Sequence, residues 1–420
     1  MSDNAQDIAR PAAGAQDGEV PRRAILLLAL ATFTAVACTR ATDPLIDLIA
    51  KDFGVSAGSA SIVITLYGMA YGLLQIFYGP VGDRIGKFRL VFITCALSTV
   101  GTFACAWATS LEWLAIARLV SGATAGALFP MSVAWFSDIV PYERRQAMLA
   151  KFVVANFLGS SLGSILSGWM AERWGWRSIF LLLSAMFFVV AIALYHELRR
   201  NAAAQKHAPL GAAPNSLAAA FGQIATYLRD RQARNFLFMV SLETFLMLSP
   251  IVFIPLHGQR EFDLSPSESA VLMGAVLVGG MGYLAASGPL TRRLEKRHMV
   301  FAGATIATLT LAGMVFAANT VTGIVLLLAF GFGSTMLHNT FMTRATQFSP
   351  QARGVSVTLF TSCQYISVAL GVWVEGRVVD LAGTGALFAL AAVGLPTALF
   401  IFIRRLRSHE GSATAPQASA

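Results

Sequence analysis

The chain has 420 residues, of which 56% are hydrophobic and only 13% charged, and its mean hydropathy is +0.64. A surface of this composition cannot face water, so the composition excludes a soluble globular protein and predicts an integral membrane protein. The net charge of +9 would indicate nucleic-acid binding in a soluble protein, but in a membrane protein it indicates basic cytoplasmic loops, and we expect no nucleic-acid partner.

Apolar segments long enough to cross a bilayer recur along almost the whole chain. A transmembrane helix needs roughly 20 apolar residues to cross a hydrocarbon core of about 30 Å. We therefore predict an all-α integral membrane protein with twelve transmembrane helices, at 24–42, 60–79, 90–108, 112–136, 146–170, 177–196, 234–256, 270–290, 299–318, 320–343, 354–376 and 384–403.

Lys and Arg residues are distributed unevenly between the two predicted sides of the membrane. If both termini are cytoplasmic, most of the 31 Lys and Arg residues fall in cytoplasmic loops and tails, which is the usual distribution in membrane proteins. The asymmetry is carried by Arg22, Arg23, Arg84, Lys87, Arg89, Arg144, Arg145, Arg292, Arg293, Lys296 and Arg297. The topology predicted is N-in, C-in.

The four cysteines give no sign of a disulfide or a metal site. Cys38, Cys95, Cys105 and Cys363 all lie inside predicted spans and show no C-x-x-C spacing. The sequence also contains no phosphate-cradling glycine loop, so we expect neither ATP nor another cofactor.

The two halves of the chain repeat each other at an offset of 209 residues. The correspondence relates Asp52 to Glu261, Gly79 to Gly288, Arg84 to Arg293, Gly122 to Gly331 and Pro141 to Pro350. Because six predicted spans separate equivalent positions, the two halves have the same orientation and are parallel repeats related by an axis along the membrane normal.

The repeat also sets the predicted domain boundaries. We predict a disordered cytoplasmic tail at 1–20, six-helix bundles at 21–196 and 234–405, a cytoplasmic linker at 197–233 and a cytoplasmic tail at 406–420. Arg22 and Arg23, followed by an apolar run that ends at Cys38, loosely resemble a cleaved lipoprotein signal. Cleavage would leave the helix at 234–256 without its counterpart, so the repeat argues against it.

The segment after the second predicted span carries a family resemblance. It reads Gly79-Pro80-Val81-Gly82-Asp83-Arg84-Ile85-Gly86-Lys87 and resembles the loop signature of the major facilitator superfamily. Glycines let two helix ends approach closely, and Asp83 can accept hydrogen bonds from a helix N-terminus or a neighbouring Arg. We predict a latch between the cytoplasmic helix ends, formed by Gly79, Gly82, Asp83, Arg84, Gly86 and Lys87. A plain basic loop is the alternative, but it does not account for Asp83.

Two further matches lie in the fourth and fifth predicted spans. Arg118-x-x-x-Gly122 is similar to the fourth-span pattern of the superfamily. An Arg at a helix centre costs about 2.5–3.5 kcal/mol on insertion scales, so Arg118 should face protein or a wet cavity. Gly159-x-x-x-Gly163-Ser164 resembles the antiporter signature of the superfamily, with Ser in place of Pro. The missing bend weakens the assignment to proton-coupled export.

The resemblance implies two pseudo-symmetric six-helix bundles, with spans 1, 4, 7 and 10 lining a central cavity. Charged groups in these spans are therefore the candidates for proton coupling. Glu243 lies about 15 Å into span 7, near the bilayer midplane, where its charge can change with the access of water. Asp43 is predicted to pair with Arg118 or Arg40, in a pair broken by protonation or substrate binding. The alternatives are that Glu243 is a neutral structural group and that Asp43 merely begins the outer loop.

The substrate-cavity candidates are polar side chains within the predicted spans, because polar helix faces in a membrane turn toward protein or water. They are Tyr67, Tyr71, Gln75, Asn156, His338, Asn339, Gln364 and Tyr365. The first three recur every four residues and so share one helix face. His338 can bind solute or titrate near neutral pH, although the sequence is equally compatible with a packing histidine.

The sequence as a whole resembles the twelve-helix drug and metabolite efflux branch of the superfamily. We predict a proton-coupled secondary transporter that works by alternating access, is monomeric and lies in the bacterial inner membrane. Its partners are a small-molecule substrate, protons and the lipid bilayer. Solute uptake by proton symport is the alternative. A membrane-embedded enzyme, a channel or a sensor is disfavoured, because the sequence carries no catalytic motif, no selectivity filter and no appended soluble domain.

Overall fold

The computed structural model describes residues 22–140, 142–200, 217–348 and 353–413, and all regular structure in these residues is helical. The first nine α-helices are α1 (Arg22–Arg40), α2 (Ile46–Phe53), α3 (Ala57–Ala60), α4 (Ile62–Ile85), α5 (Lys87–Ala106), α6 (Leu111–Ala125), α7 (Leu128–Ile139), α8 (Tyr142–Trp174) and α9 (Arg177–Arg200). The others are α10 (Leu217–Arg229), α11 (Arg231–Glu243), α12 (Ile254–Glu261), α13 (Pro266–Arg293), α14 (Lys296–Val315), α15 (Thr320–Phe348) and α16 (Arg353–Ala413).

Within the described residues, ten helical stretches are long and apolar enough to cross a membrane. The predicted span at 146–170 lies within α8, which is 33 residues long. The two spans predicted at 354–376 and 384–403 lie together in α16, whose backbone leaves the helical conformation at Gly383, with φ of 80°. A multi-pass, all-helical membrane protein is therefore confirmed, while twelve crossings and the N-in, C-in orientation remain predictions.

The helices pack mainly within each half of the chain. In the first half α1 packs on α8, α4 on α6, and α5 on α9; in the second half α15 packs on both α13 and α14. Large buried aromatic side chains fill both interiors, such as Phe136 in the first half and Phe330 in the second. Since lipid is as apolar as these side chains, close packing rather than exclusion from water holds such helices together.

The same close backbone approach occurs once in each half. A Cβ atom added to Gly122 would lie 2.2 Å from the carbonyl oxygen of Tyr67, and one added to Gly331 would lie 2.0 Å from that of Val276. Both glycines and both carbonyl groups are related by the offset of 209 residues. Only glycine permits this approach, so the repeat in the sequence corresponds to a repeated helix contact.

The halves also contact each other at the end predicted to lie outside. The Asp380 carboxylate accepts hydrogen bonds from the Ser56 hydroxyl and the Gly58 N–H. The Glu172 carboxylate accepts one from the N–H of Ser267, at the first turn of α13, over 2.7 Å. These contacts close the predicted outer end between the two halves.

Two helix interruptions bring polar groups to the centre of the molecule. After α1 the chain forms a 3-10 turn at Asp43–Leu45. In the second half α11 ends at Glu243, and a π-helical segment (Thr244–Leu248) and a 3-10 turn (Pro250–Phe253) separate it from α12. Proline lacks an N–H and disrupts regular helices, which accounts for the two 3-10 turns, since each contains one.

Candidate functional site

A cavity of about 410 Å³ lies between the two halves. Helices of both halves line it, including α1, α4 and α8 from the first half and α15 and α16 from the second. Its polar and aromatic lining residues are Thr39, Arg40, Asp43, Tyr67, Asn156, Phe157, Ser160, His338, Gln364 and Tyr365. The structure thus brings most of the predicted coupling and cavity residues to one place.

Arg40 and Asp43 form an ion pair in the wall of this cavity. Nη1 of Arg40 donates to Oδ2 of Asp43 over 3.3 Å. The side chain of Asp43 is buried, and its other oxygen, Oδ1, has no hydrogen-bond partner among the described residues. Of the two partners predicted for Asp43, the structure places Arg40 beside it.

His338 and Glu243 form a second acid–base pair. Nδ1 of His338 lies 3.3 Å from Oε1 of Glu243, which joins α15 to the end of α11. Glu243 is buried, and within the described part of the chain its Oε2 lacks a partner. The histidine is in contact with both the carboxylate and the cavity. From the sequence, Glu243 was predicted for proton coupling and His338 for the substrate cavity, and no contact between them was predicted.

Arg118 is buried behind the cavity wall and makes no hydrogen bond to Asp43. Its guanidinium group lies 3.9 Å from the centre of the Tyr67 ring and donates to the Cys38 carbonyl oxygen over 3.1 Å. Of the two surroundings predicted for Arg118, protein or a wet cavity, the structure shows protein, because the Tyr67 ring lies over the guanidinium group. Arg118 thus supports a wall residue and does not form the predicted pair.

The three predicted cavity residues of α4 have different surroundings although they share one helix face. The Tyr67 hydroxyl lies 3.1 Å from the Thr39 hydroxyl. The Tyr71 ring stacks on that of Tyr365 at 4.0 Å between centroids, which links α4 to α16. Gln75 is buried, and its Oε1 has no partner in the described ranges. Three of the predicted cavity residues are thus not among the residues that line it, namely Tyr71, Gln75 and Asn339.

The predicted latch segment is attached to its own half of the molecule. Nζ of Lys87 lies 3.7 Å from the Asp83 carboxylate and 2.5 Å from that of Asp138, at the end of α7. Gly86 has φ of 94°, a conformation that favours glycine, and allows the sharp connection from α4 to α5. A Cβ atom added to Gly79 would meet nothing within 4 Å, so this glycine makes no close helix approach.

A further latch glycine, Gly82, does lie close to a neighbour, since a Cβ there would be 2.8 Å from the Met131 sulfur atom. Arg84, the remaining latch residue, lies near the end of α4. The release of these cytoplasmic helix ends in another state stays a prediction.

A further buried acid was not predicted from the sequence. Glu375 in α16 accepts a hydrogen bond from the Ser249 hydroxyl over 2.6 Å, and both side chains are buried. Ser249 lies directly after the π-helical segment that begins next to Glu243. The available signal was that Glu375 is the one acidic residue in the predicted span 354–376.

Comparison with known sequences places the chain in a family. The sequence model of the Major Facilitator Superfamily matches residues 28–372. The multidrug export protein EmrB of Haemophilus influenzae is 34% identical over 153 residues, which cover 36% of this chain and 30% of EmrB. The fatty acid resistance protein FarB of Neisseria gonorrhoeae is 27% identical over 184 residues, 44% of this chain and 36% of FarB.

A gallate transporter of Pseudomonas putida is 30% identical over 133 residues, 31% of this chain and 29% of that protein. Each match thus spans only about a third of the relative's length.

Solved structures show the same fold over nearly the whole chain. A peptide transporter POT, crystallised with sulfate, gives a TM-score of 0.74 at 14% identity and covers 91% of this chain and 94% of its own. The nucleoside transporter NupG gives 0.70 at 16% identity, with 91% and 99% covered. The chain belongs to the Major Facilitator Superfamily and is a multi-pass membrane protein.

Proposed function

We propose that the chain exports a small amphipathic compound or metabolite in exchange for protons. The observation that carries this proposal is the cavity between the halves, with a buried carboxylate and a base in each of two pairs, Arg40–Asp43 and Glu243–His338. Export is supported by the similarity of the chain to EmrB, a multidrug export protein. The relatives named for fatty acid resistance and gallate transport support a metabolite as substrate.

The placement of the contacts between the two halves supports alternating access. The Asp380 and Glu172 contacts close the predicted outer end, and the pseudo-symmetric halves can reorient about the cavity between them. In this proposal the solute enters from the cytoplasmic side, and the opposite state opens after these contacts break. We place the transporter, as a monomer, in a bacterial inner membrane.

Glu243 is the proposed proton carrier. A buried carboxyl is stable when it is neutral or paired, and it can release a proton when water reaches it. Its Oε1 is beside His338 and its Oε2 has no partner among the described residues, so the second oxygen is available to hold a proton. A group that changes charge with access links the proton gradient to the movement of solute.

Purified protein in liposomes, with an imposed pH gradient and a panel of solutes, tests this proposal. Glu243→Gln should abolish the dependence of transport on the gradient while the protein still folds. Glu197→Gln is the matched control, because Glu197 is also buried but pairs with Arg23 outside the cavity lining. Unchanged gradient dependence in Glu243→Gln would remove the coupling role from this residue.

The Arg40–Asp43 pair favours a second candidate function, proton symport. A solute that takes Asp43's place on Arg40 leaves a buried carboxylate unpaired, and protonation relieves the cost of that charge. Solute and proton are then bound together, which is the condition for uptake by symport. The liposome experiment separates the two functions, since antiport moves solute against the proton flux and symport moves it with the flux.

A further inference from the structure

We propose that the cavity selects amphipathic organic anions, whose carboxylate or phenolate group binds to Arg40 and His338. This inference rests on the proposed function only in taking the cavity as the solute site. It adds the chemical class of the solute, which the family assignment leaves open.

In both acid–base pairs at the cavity, the base is more exposed than the acid. In the first pair the side chain of Arg40 is 25% exposed and that of Asp43 is 1% exposed. In the second pair the values are 23% for His338 and 3% for Glu243. The two pairs come from different halves of the chain, yet in each of them the base is about a quarter exposed and the acid is almost fully buried. Asp43 also borders the cavity, whereas Glu243 is not among the residues that line it.

This arrangement presents hydrogen-bond donors to a solute. A guanidinium group has five N–H donors in a planar fork that matches a carboxylate, and only one of these bonds Asp43. The ring of His338 uses Nδ1 toward Glu243 and lies in the cavity lining. The amides of Asn156 and Gln364 add neutral groups to the same wall. An anion therefore meets the charge-assisted donors of Arg40 as it enters, and Nε2 of His338 adds another donor when that ring carries a proton on both nitrogens.

Among the described residues, the cavity lining offers a cationic solute no exposed carboxylate, because the side chain of Asp43 is only 1% exposed. For each carboxylate, one oxygen is beside its base and the other is buried without a partner among the described residues. Another buried acid, Glu375, is bonded to Ser249 and is not among the residues that line the cavity. To pair with Asp43 or Glu243, a cation would have to displace Arg40 or His338, which carries a cost in both desolvation and repulsion.

The rest of the wall fits an apolar body of moderate size. The rings of Tyr67 and Tyr365 line the cavity together with aliphatic side chains, namely Val36, Ile64, Leu248, Val252, Val368 and Val372. The Tyr365 ring is held by its stack on Tyr71 and so offers a fixed surface. The volume of about 410 Å³ falls in the range of about 300–1,000 Å³ that is usual for small-molecule sites. A mono- or bicyclic aromatic acid meets both requirements.

Binding of matched probes to the purified protein in lipid nanodiscs, without a gradient, tests the inference. The probes are benzoate, 2-naphthoate and decanoate, each compared with its neutral amide and with a quaternary ammonium compound of the same skeleton. We expect at least one anion to bind about tenfold or more tightly than both of its counterparts. Equal affinity within every set, or a preference for the ammonium member, would overturn the proposal.

Variants of Arg40, Asp43 and His338 test which residues produce the preference for the anion. Arg40→Gln leaves Asp43 buried without its base, so the double variant Arg40→Gln/Asp43→Asn is measured beside it to keep the wall neutral. Both should lose most of the preference for the anion, and His338→Gln should reduce it. The matched control is Arg377→Gln, since Arg377 is exposed and stacks on Trp373 outside the lining. A preference for the anion that persists in the double variant and in His338→Gln would overturn the assignment.

The two proposals fail in different ways. If an anion binds selectively but is not transported in liposomes, the proposed function is wrong and the selectivity stands. If a gradient drives transport of cations in preference to anions, the selectivity is wrong and the transport function stands.

Discussion

Asp380 and Gly58 join the two halves of the molecule through a carboxylate at the start of a helix. Oδ1 of Asp380 accepts from the Gly58 N–H over 2.8 Å, and Oδ2 accepts from the Ser56 hydroxyl over 2.6 Å. The contact from Glu172 to the Ser267 N–H is its counterpart, because Ser267 follows Gly58 by the repeat offset of 209 residues. Carboxylates are favourable at helix N-termini, so the pair of contacts stabilises closure of this end.

Removing both charges should therefore open the predicted outer end. For Asp380→Asn/Glu172→Gln, two contacts of about 0.3–1 kcal/mol each correspond to a shift of roughly threefold to thirtyfold toward the open state. Trp107 and Leu381 are both exposed and belong to different halves. Double electron–electron resonance between spin labels at these two positions should show longer distances in the double variant.

The control for this shift is Asp52→Asn. Asp52 pairs with Arg177 within the first half, over 2.8 Å, so its loss should leave the distances unchanged. An unchanged distribution in the double variant would show that other contacts hold the end closed.

The same closure should respond to pH only under strongly acidic conditions. Burial raises the pKa of Glu172 and the hydrogen bonds from Ser267 lower it, and the net effect holds it below the usual value. A carboxyl with a lowered pKa stabilises the closed state fully at pH values above the ordinary Glu pKa of about 4.3. This stabilisation is lost as the pH falls through the lowered pKa. We expect the spin-label distances to be constant from pH 8 to 6. Opening near pH 6 that persists in Glu172→Gln would assign the response to another group.

The repeated glycine contact predicts matched losses of stability in the two halves. In Gly122→Ala and Gly331→Ala the new methyl group meets a carbonyl oxygen, of Tyr67 or Val276, at about 2 Å. The helices must separate, at a cost of about 1–3 kcal/mol. Thermal unfolding in detergent should show lower midpoints for both variants.

Gly274→Ala is the control, because nothing lies within 4 Å of a Cβ at that position. It should leave the midpoint unchanged or raise it, since Ala favours helix. If the Gly122 and Gly331 variants unfold at the same temperature as this control, the helices adjust without cost and the contact is not a constraint.

Arg118 should tolerate lysine poorly although the charge is kept. Lysine has no planar group to stack on Tyr67 or to reach the Cys38 carbonyl in the same way. A desolvated cation–π contact contributes about 2 kcal/mol, so Arg118→Lys should lower the unfolding midpoint clearly.

Arg173→Lys is the comparison, because Arg173 stacks on Trp169 at 4.4 Å in an exposed position, where the same contact contributes about 0.5–1 kcal/mol. Equal midpoints for the two variants would contradict a supporting role for Arg118.

The features that the sequence predicted are those encoded by local spacing or by the repeat. Arg40 and Asp43 are three residues apart, so their pairing was among the predicted options. The pairing of His338 with Glu243 was not foreseen, since 95 residues separate them and helix rotation decides whether they meet.

Other contacts depend in the same way on how helices pack. Asp138 was missed as the partner of Lys87, and Ser249 as the partner of Glu375, because hydropathy does not specify which faces of distant helices come together. The helical interruptions likewise follow from local energetics that a count of apolar residues does not contain. Pro250 is visible in the sequence, whereas the π-helical segment before it is not.

That π-helical segment, Thr244–Leu248, has a mechanical consequence. It lies between Glu243, which is beside His338, and Ser249, which is bonded to Glu375. Conversion of the segment to an α-helix would remove one residue from its wide turn and rotate the chain beyond it by about 100°. Since one flank would then turn away from its neighbour, the two carboxyl groups cannot both keep their present partners through such a change of winding.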